Sequence, residues 1–182
     1  QESSFFWTTG ITEAGWRVIL DTPRQHAILV RPERSEVDVI FNGESNDDSI
    51  RAVSGIAEII AEKDFESTLR RLHRKHTIAS TINPKQNHDF VLNPAQANLE
   101  AILKRVFDSV QHCDKLLAKL KAIKQPEELT IMQAAIDLTC KAFEDVRRNL
   151  SSLKTESEIE AEFIYAFRKA NATHAYEPIV AG

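Results

Sequence analysis

The chain is poor in three things that would each have pointed to a specific class. Its 182 residues hold two cysteines, Cys113 and Cys140, far apart and in no CxxC pair. That leaves no disulfide framework and no zinc ribbon. Two buried free thiols in a reducing cytosol are the expectation. No apolar run approaches the length of a membrane span. Positive charge is not in excess either: 23 Lys and Arg face 27 Asp and Glu, a net charge of −4 with pI ≈ 5.9. The basic footprint of a nucleic-acid binder is therefore missing. Neither a nucleic-acid nor a membrane partner is expected, and the predicted location is cytoplasmic.

An initiator Met is missing too, as is a charged-then-apolar leader. The other end, Pro178-Ile179-Val180-Ala181-Gly182, reads as the start of a strand. A domain seldom finishes on an apolar strand with no turn or tail. Both termini are therefore expected to be cut ends of a longer protein.

What is present is an ordinary globular composition, 42% hydrophobic and 27% charged. No repeat or low-complexity segment stands out. The first 40 residues read as extended, after an apolar cluster at Phe5-Phe6-Trp7. Val18-Ile19-Leu20 and Ala27-Ile28-Leu29-Val30 are short apolar runs, and Val37-Asp38-Val39-Ile40 alternates. Turn signals at Asp21-Thr22-Pro23 and Arg31-Pro32-Glu33 separate them, so the first strands are predicted to be antiparallel neighbours.

An alternating α/β stretch follows. A short helix is predicted over Asp47–Val53 and a strand over Gly55–Ile60. Asp64 is a candidate N-cap for a helix with Phe65, Leu69, Leu72 and His76 on one face. A strand is predicted over Thr77–Ser80. Asn93-Pro94 then opens a helix carrying Leu99, Ile102, Leu103 and Val106. Such strand–helix–strand runs predict parallel pairing within a mixed sheet.

The chain turns helical near residue 113. Pro126 with Glu127 and Glu128 starts a long helix. Its apolar stripe of Leu129, Met132, Ile136, Cys140, Phe143, Val146 and Leu150 advances by three or four residues each time. Thr155-Glu156-Ser157-Glu158 fits a capping box. It opens a second helix that buries Ile159, Phe163, Ala166, Phe167 and Ala170. The predicted class is α/β: a mixed-sheet domain over residues 1–112, a helical connector over 113–124, and from 125 onward two antiparallel helices and a strand. Those last elements cannot enclose a core alone and need further sheet or a partner.

Several segments carry a family resemblance. Lys121-Ala122-Ile123-Lys124-Gln125-Pro126-Glu127-Glu128-Leu129 resembles the R/K-x-x-K-x-P-x-E-[IL] entry to the pita-bread domain of Xaa-Pro aminopeptidases and prolidases. Lys154 to Phe163 is similar to that domain's second helix, and Ala175 to Gly182 to its Y-x-x-I-V-a-x-G strand. Gln1-Glu2-Ser3-Ser4-Phe5-Phe6-Trp7-Thr8-Thr9-Gly10 resembles the start of the creatinase-like N-terminal domain of aminopeptidase P. Val39-Ile40-Phe41-Asn42-Gly43 sits where that domain has an [IL]-W-x-G segment. The front motif favours aminopeptidase P over methionine aminopeptidase, which lacks this domain.

The resemblance implies the N-terminal portion of an enzyme that removes an N-terminal residue preceding proline. Its partners would be peptides with proline at the second position and further copies of itself in a homo-oligomer. Its cofactors would be two divalent metal ions, commonly manganese, held by two Asp, one His and two Glu. That ligand set falls downstream of the I-V-x-x-G segment, so no catalytic residue and no metal ligand carries over to this chain. Two substrate-binding residues do: Tyr176, matching a tyrosine that lines the metal pocket, and Phe41, matching an aromatic that walls the proline pocket of a neighbouring subunit. Phe41 departs from the family's Trp. For Tyr176 a sheet-packing role is an equal alternative. Prolidase, another pita-bread enzyme, or a noncatalytic interaction module are the competing readings.

Other clusters have simpler accounts. His73 and His76 lie among Arg70, Arg71, Arg74 and Lys75, a solvated basic face. His112, Cys113 and Asp114 are adjacent and diverge on a helix. His174 precedes Tyr176 but lies upstream of the family's catalytic His. Glu156, Glu158, Glu160 and Glu162 cap and solvate a helix start. Lys115, Lys119, Lys121 and Lys124 alternate with leucines as an amphipathic connector. Trp7 and Trp16 are expected to pack.

Overall fold

The structure, a computed structural model, describes residues 2–83, 86–87, 90–91 and 94–181. The Asn93 cap and the terminal Gln1 and Gly182 lie outside the described residues. The chain divides into two compact units at Leu120/Lys121. The division falls inside the segment read as a connector.

The first unit is built on strand β2 (His26–Arg31), central in a three-stranded sheet. It pairs antiparallel with β1 (Arg17–Asp21) and parallel with β3 (Glu58–Ala61). This is the mixed sheet the alternation of elements implied. Period-two geometry sends neighbouring residues of each strand to opposite faces. Ile19, Val30 and Ile60 pack into one core with Phe65, Leu69, Leu103 and Phe107. Val18, Leu29 and Ile59 pack into a second core with Ile11, Trp16 and Ile50. The first core is supplied by helices α4 (Phe65–Leu72) and α5 (Pro94–Val106), the second by α3 (Asp47–Ser54) and the turn before β1. A sheet covered on both faces explains why β2 reads as a continuous apolar run rather than an alternating one. Strands β4 (Ile78–Thr81) and β7 (Ser109–His112) pair in parallel around α5. β5 (Gln86–Asn87) and β6 (Phe90–Val91) form a short antiparallel pair.

Four expectations are corrected in this unit. Ser3–Thr9 is a helix, α1, not extended chain. Glu2 accepts a hydrogen bond from the Phe5 amide at 2.8 Å, and Gly10 closes the other end at φ +69°. Glu36–Asn42 is likewise a helix, α2, although its sequence alternates. Ser35 and Asp38 form a capping box there, which favours the helical start over a strand. Helix α4 stops at Leu72. His76 has φ +68° in the following turn, so it does not share the face of Phe65 and Leu69. Asp64 stands at the N-cap position without a side-chain cap bond.

Glu62, after β3, receives Arg17 of β1 at 2.8 Å and the Glu33 amide at 3.1 Å. Burial works to raise its carboxyl, but these hydrogen bonds outweigh it and hold the group below the ordinary range. A depressed folded pKa contributes stability above the unfolded value, and that contribution disappears as pH falls through the folded one. Wild type and Glu62→Gln are therefore expected to differ in unfolding midpoint at neutral pH and to converge in acid. A difference constant across pH would contradict this.

The second unit contains α7 (Pro126–Asn149), a 3₁₀ turn, and α8 (Glu156–Lys169). A shorter helix, α6 (Asp114–Ala122), spans the division between the units. Both long helices begin with capping boxes, Gln125 with Glu128 and Thr155 with Glu158. They pack through Phe143 and Phe163, whose rings meet edge-on at 4.8 Å, and bury Ala142 and Val146. Much of the periodic stripe is nevertheless exposed: Leu129, Met132 and Ile136 on α7, Leu150 in the turn after it, and Phe143 outside its contact with Phe163. Cys140 is exposed with them and Cys113 half-buried, which corrects the expectation of two buried thiols; both are free. Ala170 is exposed as well, not part of the buried side of α8. Residues 177–181 carry no strand, and Ile179 is exposed. A strand exists by its ladder, and no described residue pairs with this segment.

Candidate functional site

Phe41 and Tyr176 lie in different units. Phe41 sits near the C-terminal end of α2 and is 81% exposed, beside exposed Val37 and Ile40. The helix carrying it is set by local polar chemistry. The Asp38 amide donates to Ser35 Oγ at 3.1 Å, and the Ser35 amide and hydroxyl donate back to the Asp38 carboxylate at 3.2 and 2.6 Å. The hydroxyl, then the amide, and more weakly the charge of Arg34, hold the Asp38 carboxyl below its usual range against a small opposing effect of burial. The far end closes where the Gly43 amide donates to the Val39 carbonyl at 2.9 Å.

Tyr176 is 78% exposed in the segment after α8. That segment is anchored two residues earlier. The His174 ring meets Phe167 of α8 edge-on at 4.8 Å, and Phe167 lies 6.3 Å from Phe163. His174 is thus an aromatic anchor, which its sequence position alone did not reveal. A groove of about 430 Å³ between α7 and α8, lined by Leu138, Ala142, Asp145, Val146, Tyr165 and Lys169 among others, includes neither Phe41 nor Tyr176.

The described residues do not form a metal site: no three His, Cys, Asp or Glu side chains among them converge. His73 tilts against Phe107 at 5.5 Å and lies 3.8 Å from Asp108. His112 lies 3.4 Å from Glu100, whose carboxylate also holds Lys104 at 2.6 Å. Burial, reinforced by Asp114, pushes the Cys113 thiol up, away from nucleophilic character. The two-metal chemistry implied by the sequence resemblance does not fit any donor set among the described residues of this chain.

Comparison with known proteins gives this arrangement relatives. Residues 1–81 match the model of the aminopeptidase P N-terminal domain. Over those residues the chain is similar to that domain. Along its whole length the chain is similar to Xaa-Pro aminopeptidase 3 of Mus musculus, 25% identical over 190 residues, and of Rattus norvegicus, 27% identical over 194. It spans 38% of the length of each. The fold is that of Escherichia coli aminopeptidase P in its low-pH form, with TM-score 0.73 and 16% identity over 93% of this chain and 40% of that one. A zinc-substituted form of the E. coli protein in complex with product aligns with TM-score 0.69, at 16% identity and the same coverage of both chains. The α/β fold with a creatinase-like N-terminal domain, expected from the motifs, is therefore the fold observed. Among the described residues no helix is long and apolar enough to cross a membrane.

Proposed function

We propose that the chain is the N-terminal portion of a metal-dependent Xaa-Pro aminopeptidase, which removes an N-terminal residue preceding proline. The observation that carries this reading is the collinear similarity of all 182 residues to Xaa-Pro aminopeptidases, beginning with their N-terminal domain. In this reading residues 1–112 are the creatinase-like domain and 113–124 the connector. Residues 125–182 open the pita-bread domain that carries the chemistry. The exposed α7 stripe packs against the remainder of that domain, and the protein works as a cytoplasmic homo-oligomer. Two divalent metals, manganese by preference, are held by residues outside this chain and supply Lewis-acid polarisation and a bound nucleophile. Tyr176 lines the metal pocket. Phe41 walls the proline pocket of a neighbouring subunit, a place its exposure leaves open.

The test is a peptide panel on a protein extended beyond residue 182. Release of the first residue from Xaa-Pro-Yaa tripeptides and longer peptides is expected. Activity confined to Xaa-Pro dipeptides would replace this reading with a prolidase, and activity on neither would remove it.

A further inference from the structure

Helix α2 is a seven-residue excursion between β2 and α3, and two things that normally hold a helix are missing from it. It is too short to be stable alone. Its apolar residues Val37, Ile40 and Phe41 are exposed, so burial of an apolar face does not fix it; only Val39 is half-buried. The Ser35–Asp38 box starts the helix, and what ties its two ends to the rest of the unit is one carboxylate. Glu13 Oε2 accepts Arg34 Nη2 at 2.6 Å at the entry to the excursion and the Ser45 hydroxyl at its exit. Arg34 turns its other nitrogen across the excursion and donates from Nη1 to the Gly43 carbonyl at 3.0 Å. The fork of Arg34 therefore ties entry to exit, and Glu13 ties both to the body of the unit.

Glu13 is itself held in place. The indole of the buried Trp16 donates to the same oxygen at 3.3 Å. Gly15, at φ +84°, brings the turn so close to Pro32 that an added Cβ would lie 2.9 Å from the proline ring. That close approach sets Glu13 beside Arg34. The Arg34 side chain is largely buried and that of Glu13 about one-third exposed. A charge-assisted bond in such a place is stronger than a mobile surface ion pair.

We infer that Glu13 is a positioning residue: through Arg34 and Ser45 it fixes the helix that presents Phe41, and so sets the substrate-pocket wall that the proposed aminopeptidase reading gives to Phe41. This rests on that reading for its consequence in the reaction, and on geometry alone for the clasp.

The clasp is tested on the present chain by amide hydrogen exchange of Glu13→Gln and Arg34→Ala. Each single change is expected to speed exchange within 36–43 by about tenfold, as a lost charged hydrogen bond opens a local unit. Exchange in β2 and β3 stays as in wild type. The double variant is faster than either single by less than the product of their effects, because the Glu13–Arg34 bond is shared while the Arg34–Gly43 and Glu13–Ser45 bonds are lost separately. Unchanged exchange in 36–43, or equal acceleration of helix and sheet, overturns the proposal. Arg34→Ala leaves the Glu13–Trp16 contact untouched, so a folding defect peculiar to Glu13→Gln does not obscure the result.

The part in the reaction is tested on the extended protein. Glu13→Gln is expected to raise KM for Xaa-Pro peptides in the same direction as Phe41→Ala, with kcat within about twofold of wild type. If Phe41→Ala raises KM and Glu13→Gln does not, Glu13 is not a positioning residue and the Phe41 reading stands. If neither moves KM, the Phe41 reading falls and takes with it the role of Glu13 in the reaction, whatever the exchange experiment shows for the clasp.

Discussion

Leu29→Ala is expected to destabilise the first unit by about 3 kcal/mol, within the usual range for a leucine truncated in a closed core. Leu29 is 0% exposed, in the central strand of the sheet, and packs with Ile11, Trp16 and Ile50. The loss has two parts: the transfer of the deleted carbons, and the cavity that a sheet strand pinned on both edges cannot close. β2 is paired with β1 on one side and β3 on the other, so it has little freedom to collapse. Leu20, on β1 of the same sheet, is 56% exposed. Leu20→Ala is expected to change stability by less than about 0.5 kcal/mol. Urea unfolding of the two variants reads the difference directly. Equal losses would mean that Leu29 is not enclosed by its neighbours in the way described.

Ile136→Glu is expected to have opposite consequences in two contexts. In the present chain Ile136 is 51% exposed on α7, and glutamate is a good helix former, so the stability of the helix pair should change by less than about 0.5 kcal/mol. In a protein extended beyond residue 182 the proposed reading covers the stripe with the remainder of the catalytic domain. An unpaired carboxylate would then be buried, at a cost of about 3 kcal/mol or more. Thermal unfolding of both forms tests this. Similar small effects in both would show that the stripe stays exposed in the longer protein. Phe143 is a poorer probe, because it also holds the two helices together through Phe163.

The strongly periodic elements were legible in the sequence. β1, β2, α5, α7 and α8 each carry enough apolar residues at one spacing for the face to be read, and Pro126 and the Thr155–Glu158 box mark real helix starts. The misread elements are short, and single polar contacts decide them. Phe5-Phe6-Trp7 and Val37 to Ile40 look extended by residue type. Glu2 in one case and the Ser35–Asp38 box in the other turn them into helices. The 177–181 segment has the letters of a strand, but pairing is a property of two segments and the second is not among the described residues.

The candidate site was legible only through motif likeness. Phe41 and Tyr176 stand out by matching a pattern, since neither has a buried or charged environment that marks it. The Glu13 clasp was not legible at all. Its partners lie 21 and 32 residues away, and nothing local to Glu13 distinguishes it from a solvated acid. The short spacing Glu13 to Trp16 is a weak hint visible only once the indole bond is known.

The central claim, that this chain is the front part of a metal-dependent Xaa-Pro aminopeptidase, meets its most direct test in one assay. A protein extended beyond residue 182 and the present chain are each given an Xaa-Pro-Yaa peptide, with and without a chelator, then with divalent metal restored. The account expects the longer protein to release the residue before proline, to stop with chelator and to recover with metal, while the present chain releases nothing. Metal-dependent cleavage by the present chain alone, or a longer protein inert towards Xaa-Pro peptides, would contradict it.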